Sequence, residues 1–187
     1  MRTVTYSMGM TLDGFVTGPD GGIAWSSPSP ELFRSSIDEV RGVDVHLLGR
    51  NLYEAMLYWE DPEHEPGFGD DEREWAELWK ALPKVVFSTT LTSVEGTNHR
   101  LATGSLLDEI ERLRNEGDGL IAIGGATLAA EAIRAGLVDE YRIRIHPVLV
   151  GGGMRYFSPV DHQVDLELVE TRTFPGGVVY LRHLVKR

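Results

Sequence analysis

The sequence predicts an α/β fold: a mixed, mainly parallel sheet, covered by helices on both faces, with an antiparallel hairpin at the C-terminus. Three observations carry this expectation. Apolar runs of strand length alternate with segments of 3.6-residue period as far as residue 135. Beyond Gly136 apolar and polar residues alternate with period two. A Pro175-Gly176-Gly177 turn separates the last two such runs.

Residues 3 to 10, with Val4, Tyr6, Met8 and Met10, open the chain as a strand that ends at Thr11-Leu12-Asp13-Gly14. The glycine-rich stretch up to Trp25 reads as a long loop or short hairpin, a candidate lid. Ser29 and Pro30 are N-cap and first-turn residues for a helix whose Phe33, Ile37 and Val40 fall at i, i+4 and i+7. Val43 to Leu48 is a second strand, and Gly49-Arg50-Asn51 leads from it into a short helical piece around Tyr53 to Leu57. Residues 60 to 74 carry eight acidic side chains in fifteen positions and read as a solvated surface insertion. Trp75, Leu78, Trp79 and Leu82 recur at helical spacing.

Lys84 to Phe87 is a third strand ending at three hydroxyls, Ser88-Thr89-Thr90. A weaker strand near His99 to Ala102 precedes a helix from about Ser105 to Glu116, where Ser105 and Asp108 resemble a capping box. The stretch Gly119 to Leu137 then reads as buried strand, tight Gly124-Gly125 turn and helix. Tyr141, Ile143 and Ile145 alternate with charged residues, and Val148 to Val150 continues that run. The terminal hairpin pairs a strand around Leu166 and Leu168 with Val178 to Val185.

Composition narrows the function. At 187 residues the chain fits one domain, residues 1 to 187. A formal net charge of −11 argues against clamping nucleic acid through its phosphates. With no cysteine there is no disulfide, thiolate nucleophile or Cys-ligated metal, and the six histidines lack metal-ligand spacing, so no metal site is expected. No leader pattern or membrane-length apolar run is present, which leads to the expectation of a cytoplasmic protein without a membrane partner.

Three strand ends, at Gly49, Ser88 and Gly124, carry small or hydroxylic residues. Ligands in open α/β sheets sit outside the carboxyl ends of the strands, so these ends together would form one groove. The paired glycines either turn the chain between packed elements or let a ligand approach a helix N-terminus suited to phosphate. Arg50, with Ser88 and Thr89, supplies a local positive site for a 2′-phosphate, which would select NADPH over NADH. The G-x-G-x-x-G fingerprint and the P-loop lysine are both absent.

The segments MTLDGFVTGPDG…W at 10 to 25, LLGRNLYEAM at 47 to 56, KVVFSTTL at 84 to 91 and IAIGGATLAAEAIRAGLVDEYRIRIHPVLVGGGMRYF at 121 to 157 resemble the dihydrofolate reductase-like superfamily. Within it they look like the stand-alone proteins related to the reductase domain of the riboflavin-pathway deaminase/reductase. The resemblance implies a three-layer α/β/α domain with about eight strands, an NADPH cofactor and a homodimer. By that resemblance Gly49, Arg50 and Leu52 lie on the second cofactor loop, and Ser88 and Thr89 hold the 2′-phosphate. Gly124, Gly125, Ala126, Thr127 and Leu128 would cradle the pyrophosphate, while Met10, Ile23 and Trp25 flank the nicotinamide. The family's usual threonine is Leu52 here, and an acidic residue often found before the glycine pair is Ile123.

Reduction needs a proton as well as a hydride, and Asp13 and Glu31 are the catalytic candidates to orient substrate or relay that proton. Trp25 and Tyr53 are the substrate-contact candidates. Each also has a structural reading: a turn residue for Asp13, a helix-dipole complement for Glu31, and packing for the two aromatics. The functional expectation is therefore an NADPH-dependent reductase of a small heterocyclic or carbonyl compound, of pterin or pyrimidine type. The alternative is a non-catalytic nucleotide-binding or interaction module that keeps the fold.

Overall fold

The computed structural model describes residues 1–160 and 162–187. Its eight strands are β1 (Thr3–Thr11), β2 (Val43–Gly49), β3 (Lys84–Phe87), β4 (His99–Leu101), β5 (Leu120–Gly124), β6 (Glu140–His146), β7 (Leu166–Thr173) and β8 (Val179–Val185). They form one sheet in the order β4-β3-β2-β5-β1-β6-β8-β7. Neighbours from β4 to β6 run parallel, and β8 lies antiparallel between β6 and β7. The helices are α1 (Pro30–Val40), α2 (Arg50–Met56), α3 (Asp70–Ala81), α4 (Leu106–Asn115) and α5 (Ala126–Arg134).

Two cores hold the three layers together. Period-two alternation in β1 sends Val4 and Tyr6 to one face, where they pack with Ile121 and Ile123 of β5 and with Ile110, Ala129 and Ile133 from α4 and α5. Leu48 and Val86 meet Tyr53 of α2 and Trp79 of α3 across the opposite face. The central strand β5 is covered on both faces, so Ile121, Ala122 and Ile123 are all buried and its sequence does not alternate. Each large aliphatic side chain so enclosed contributes about 1.5–3 kcal/mol by its removal from water.

Local signals set the helix starts. Ser29 accepts from the Leu32 amide at 3.2 Å and Ser105 from that of Asp108 at 3.1 Å. The expected solvated insertion at 60 to 74 needs correcting at both ends. Asp70, Asp71 and Glu72 form the first turn of α3, where negative charge complements the free amides, and Glu72 accepts from the Gly69 amide at 2.7 Å. At the other end, Glu60 is buried beside Lys84 and His99. The expected continuation of β6 through Val150 also fails. The strand stops at His146, because Pro147 offers no amide and the Val150 amide turns to the carboxylate of Asp13.

Candidate functional site

The strands β3, β2 and β5 are neighbours in the sheet, so their carboxyl ends adjoin. Gly49 closes β2 and caps α2, and Gly125 caps α5 at φ 101°, a conformation that disfavours any side chain. The two junctions pack against each other: a Cβ on Gly125 would lie 3.7 Å from the Gly49 nitrogen. Between them opens a groove of about 300 Å³, lined by Gly49, Arg50, Leu52, Phe87 and residues 125 to 128. The first amides of α5, a nine-residue helix, border this groove.

Arg50 lies at the rim and donates to Glu54 at 2.7 Å and to the Thr90 hydroxyl at 2.7 Å. Ser88 accepts from the Thr90 and Leu91 amides, both at 3.1 Å, which folds the hydroxyl run into a tight turn. That turn directs Thr90, not Thr89, to Arg50, and Thr89 is exposed. The sequence showed three adjacent hydroxyls but not which one the turn would aim.

Gly124 lies behind the groove, where a Cβ would run into Leu52 and approach His46 Cε1 at 2.7 Å. Leu52 borders this groove and also a second pocket of about 200 Å³ on the α1 face of the sheet. Met56 and Trp79 form apolar walls of that inner pocket, and Glu39, His46 and Arg144 supply polar ones. Arg144 donates to Ser7 at 3.0 Å and to Glu39 at 2.6 Å. Sequence reading missed Glu39, His46 and Arg144, whose proximity depends on how α1 packs across β6, although the charged phase of β6 was visible.

The other expected site residues are placed as follows. Tyr53 is buried in the second core and accepts from the Glu95 amide at 2.8 Å. Asp13 bonds the Thr11 hydroxyl at 2.5 Å and accepts from the Val150 and Gly151 amides, pinning one loop to the other. The Thr11 hydroxyl and those amides hold its carboxyl below the usual aspartate range, and Asp13 positions the loop. Glu31 is exposed in the first turn of α1 and lines neither pocket. Met10 packs partly into the main core, and Ile23 stands exposed. Trp25 stacks edge-on to His146 with ring centres 5.0 Å apart, and among the described residues its buried indole N–H has no acceptor.

His46 gives the inner pocket a pH dependence. Burial pushes its imidazole down to about 4, against 6.5 for a free ring. The folded state therefore prefers neutral His46. This contribution is complete above pH 6.5 and is lost as pH falls through 6.5 toward 4, a window on the order of 2–3 kcal/mol. Urea unfolding at pH 7 and pH 4.5 should show that loss in the native protein and a flatter profile in His46→Gln; equal slopes would refute it.

Comparison with known proteins gives four findings. Residues 2–180 match the sequence profile described as the RibD C-terminal domain. The uncharacterised protein YyaP of Bacillus subtilis (strain 168) is 32% identical over 181 residues, 96% of this chain and 93% of that protein. Among solved structures, a putative riboflavin biosynthesis protein from Shewanella sp. PV-4 superposes with a TM-score of 0.78 at 21% identity, covering 99% of both chains. Dihydrofolate reductase from Enterococcus faecalis, complexed with NADP(H), superposes with a TM-score of 0.63 at 16% identity, covering 99% of this chain and 97% of that one.

Proposed function

The chain belongs to the RibD C-terminal domain family, and from that premise we propose that it is an NADPH-dependent reductase of a small heterocyclic or carbonyl compound. The observation that carries the proposal is the convergence of three loop mouths, after β2, β3 and β5, on one groove with a guanidinium at its rim. The residues present fit the cofactor. Gly125 leaves room for a pyrophosphate against the amides of Ala126 to Leu128, and Arg50 with Ser88 and Thr90 supplies donors for a 2′-phosphate. NADPH would supply the hydride from its nicotinamide ring.

The chain's own work is binding and orientation. Leu52 stands where groove and inner pocket meet, and the inner pocket suits a flat polar substrate between Met56 and Trp79, oriented by Glu39, Arg144 and Ser7. The same reading takes the chain as a homodimer: β7 has one free edge and exposes Leu168 and Val169. Sedimentation at the monomer mass of 20.8 kDa would remove that part.

Titrating NADPH and NADH against tryptophan fluorescence tests the cofactor. NADPH should bind at least about tenfold more tightly than NADH, and Arg50→Ala should erase the difference by removing a charge-assisted contact worth roughly 1.5–3 kcal/mol. Indifference to both nucleotides would end the proposal. Tight binding without oxidation across pterin, pyrimidine and quinone panels would identify a nucleotide-binding module instead.

A further inference from the structure

Four arginines on one face of the antiparallel end of the sheet line a groove of about 240 Å³, floored by Tyr180 and Phe174 and walled by α1. Register explains the crowding. Arg142 of β6 lies directly opposite Arg182 of β8, and Tyr180 of β8 lies between Arg144 of β6 and Arg172 of β7. Like charges directly opposite across strands are unfavourable, so this arrangement needs compensation.

The protein compensates it incompletely. Glu140 binds Arg142 and Arg182, the latter through two contacts at 2.9 and 3.0 Å. Glu39 binds Arg144 at 2.6 Å and stands 4.0 Å from Arg142. Arg172 pairs with Glu170 through Nε at 2.6 Å and lies over the Tyr180 ring, and among the described residues its two terminal nitrogens have no hydrogen-bond partner. Arg144 Nε is buried and unpartnered as well. Asp38, on the α1 wall, is tied to Arg41 at 2.7 Å. Four guanidinium groups thus gather in a chain whose overall charge is −11, opposed by Glu39, Glu140, Glu170 and the Asp38 that Arg41 shares.

We propose that this groove is a binding site for an oxyanion, a phosphate or carboxylate group, held by Arg172, Arg182 and Arg142. Arginine forks match the paired oxygens of such a group, and the incoming anion completes the compensation that Glu39 and Glu140 leave unfinished. The faces of Tyr180 already carry Arg144 and Arg172, with guanidinium carbons 5.6 and 5.3 Å from the ring centre, so a flat organic body attached to the anion would share an ordered aromatic and cationic floor. Glu39 and Arg144 line this groove and the inner pocket alike, so occupation of one is felt in the other. The assignment requires no cofactor.

The test is calorimetric titration of inorganic phosphate into the full chain at constant ionic strength, in an Arg50→Gln background that removes the guanidinium of the cofactor groove; the α5 amides that remain there are untouched by Arg172→Gln and Glu39→Gln. Binding at millimolar or lower concentration should persist in that background. Arg172→Gln, a change at an exposed side chain, should weaken it at least fivefold, while Arg73→Gln on α3 should leave it unchanged. Glu39→Gln should tighten it at least threefold, because the amide no longer competes as a charge for Arg144; a purely structural pair predicts no gain. Loss of all phosphate heat with Arg50→Gln alone, or indifference to both Arg172→Gln and Glu39→Gln, would overturn the proposal. Phenyl phosphate distinguishes the sources: tenfold tighter binding than phosphate assigns the anion to an organic ligand, and equal binding assigns it to a free ion.

Discussion

Replacing Glu60 with alanine is expected to destabilise the protein by about 3–5 kcal/mol at pH 7, the range found when one partner of a buried ion pair is removed. Lys84 is fully enclosed at the start of β3, with its ammonium 2.9 Å from the Leu82 carbonyl and 4.9 Å from the centre of the Trp79 ring. Among the described residues its one carboxylate neighbour is Glu60, at 3.7 Å, which also accepts from the Thr97 amide at 2.6 Å and faces His99 at 3.6 Å. Burial already pushes the lysine down to about 8, the nearby carboxylate opposing that shift. Without Glu60 the lysine must either stay charged and unpaired or release its proton.

The sign of the pH dependence follows. A lysine whose folded pKa lies below its unfolded 10.5 binds fewer protons when folded, so stability rises with pH between the two values. In the native protein this gain begins near pH 8; in Glu60→Ala it begins lower, because the opposing carboxylate is gone. Urea denaturation at pH 7 and pH 9 should therefore show the deficit of Glu60→Ala shrinking. A constant deficit would mean that Glu60 acts by packing alone.

That ion cluster marks the limit of what the sequence disclosed. Ser29, Ser105 and the Gly124-Gly125 pair were legible because a cap or a tight turn is decided within a few residues. The fate of Glu60 was not. It sits in a run of acids whose composition says solvent, and only the docking of its short turn against β3 and β4 brings it to Lys84. The burial of Tyr53 was hidden for a related reason: on a seven-residue helix, periodicity does not decide which face meets the core, and Glu95 lies 42 residues further along the chain.

The candidate site divides in the same way. Gly49, Arg50, Ser88 and Gly124 announced themselves as strand ends, and sheet order then made those ends adjoin. Thr90, Glu39 and Arg144 had no local signature, because each acquires its partner from another element. The Val148 to Val150 run looked like strand, yet strand pairing was overridden by Pro147 and by two amides claimed by Asp13.

Gly125→Val is expected to weaken NADPH binding about 100-fold, and Gly125→Ala about tenfold. Gly125 has φ 101° and ψ 122°, a conformation costing a residue with a Cβ about 1–3 kcal/mol, and a β-branched one more. The Cβ itself would fit, at 3.7 and 3.8 Å from the backbone of Gly49. Space therefore does not forbid alanine; strain does, and its relief turns the first amides of α5 away from the groove. Valine adds methyl groups beyond that Cβ, where the space between the two junctions closes. Fluorescence titration of both variants, beside thermal unfolding, separates the effects: strain lowers stability in both and more in valine, with affinity falling in step, whereas a blocked groove costs valine affinity beyond its loss of stability. Native affinity in Gly125→Val would show that the α5 amides take no part in holding phosphate.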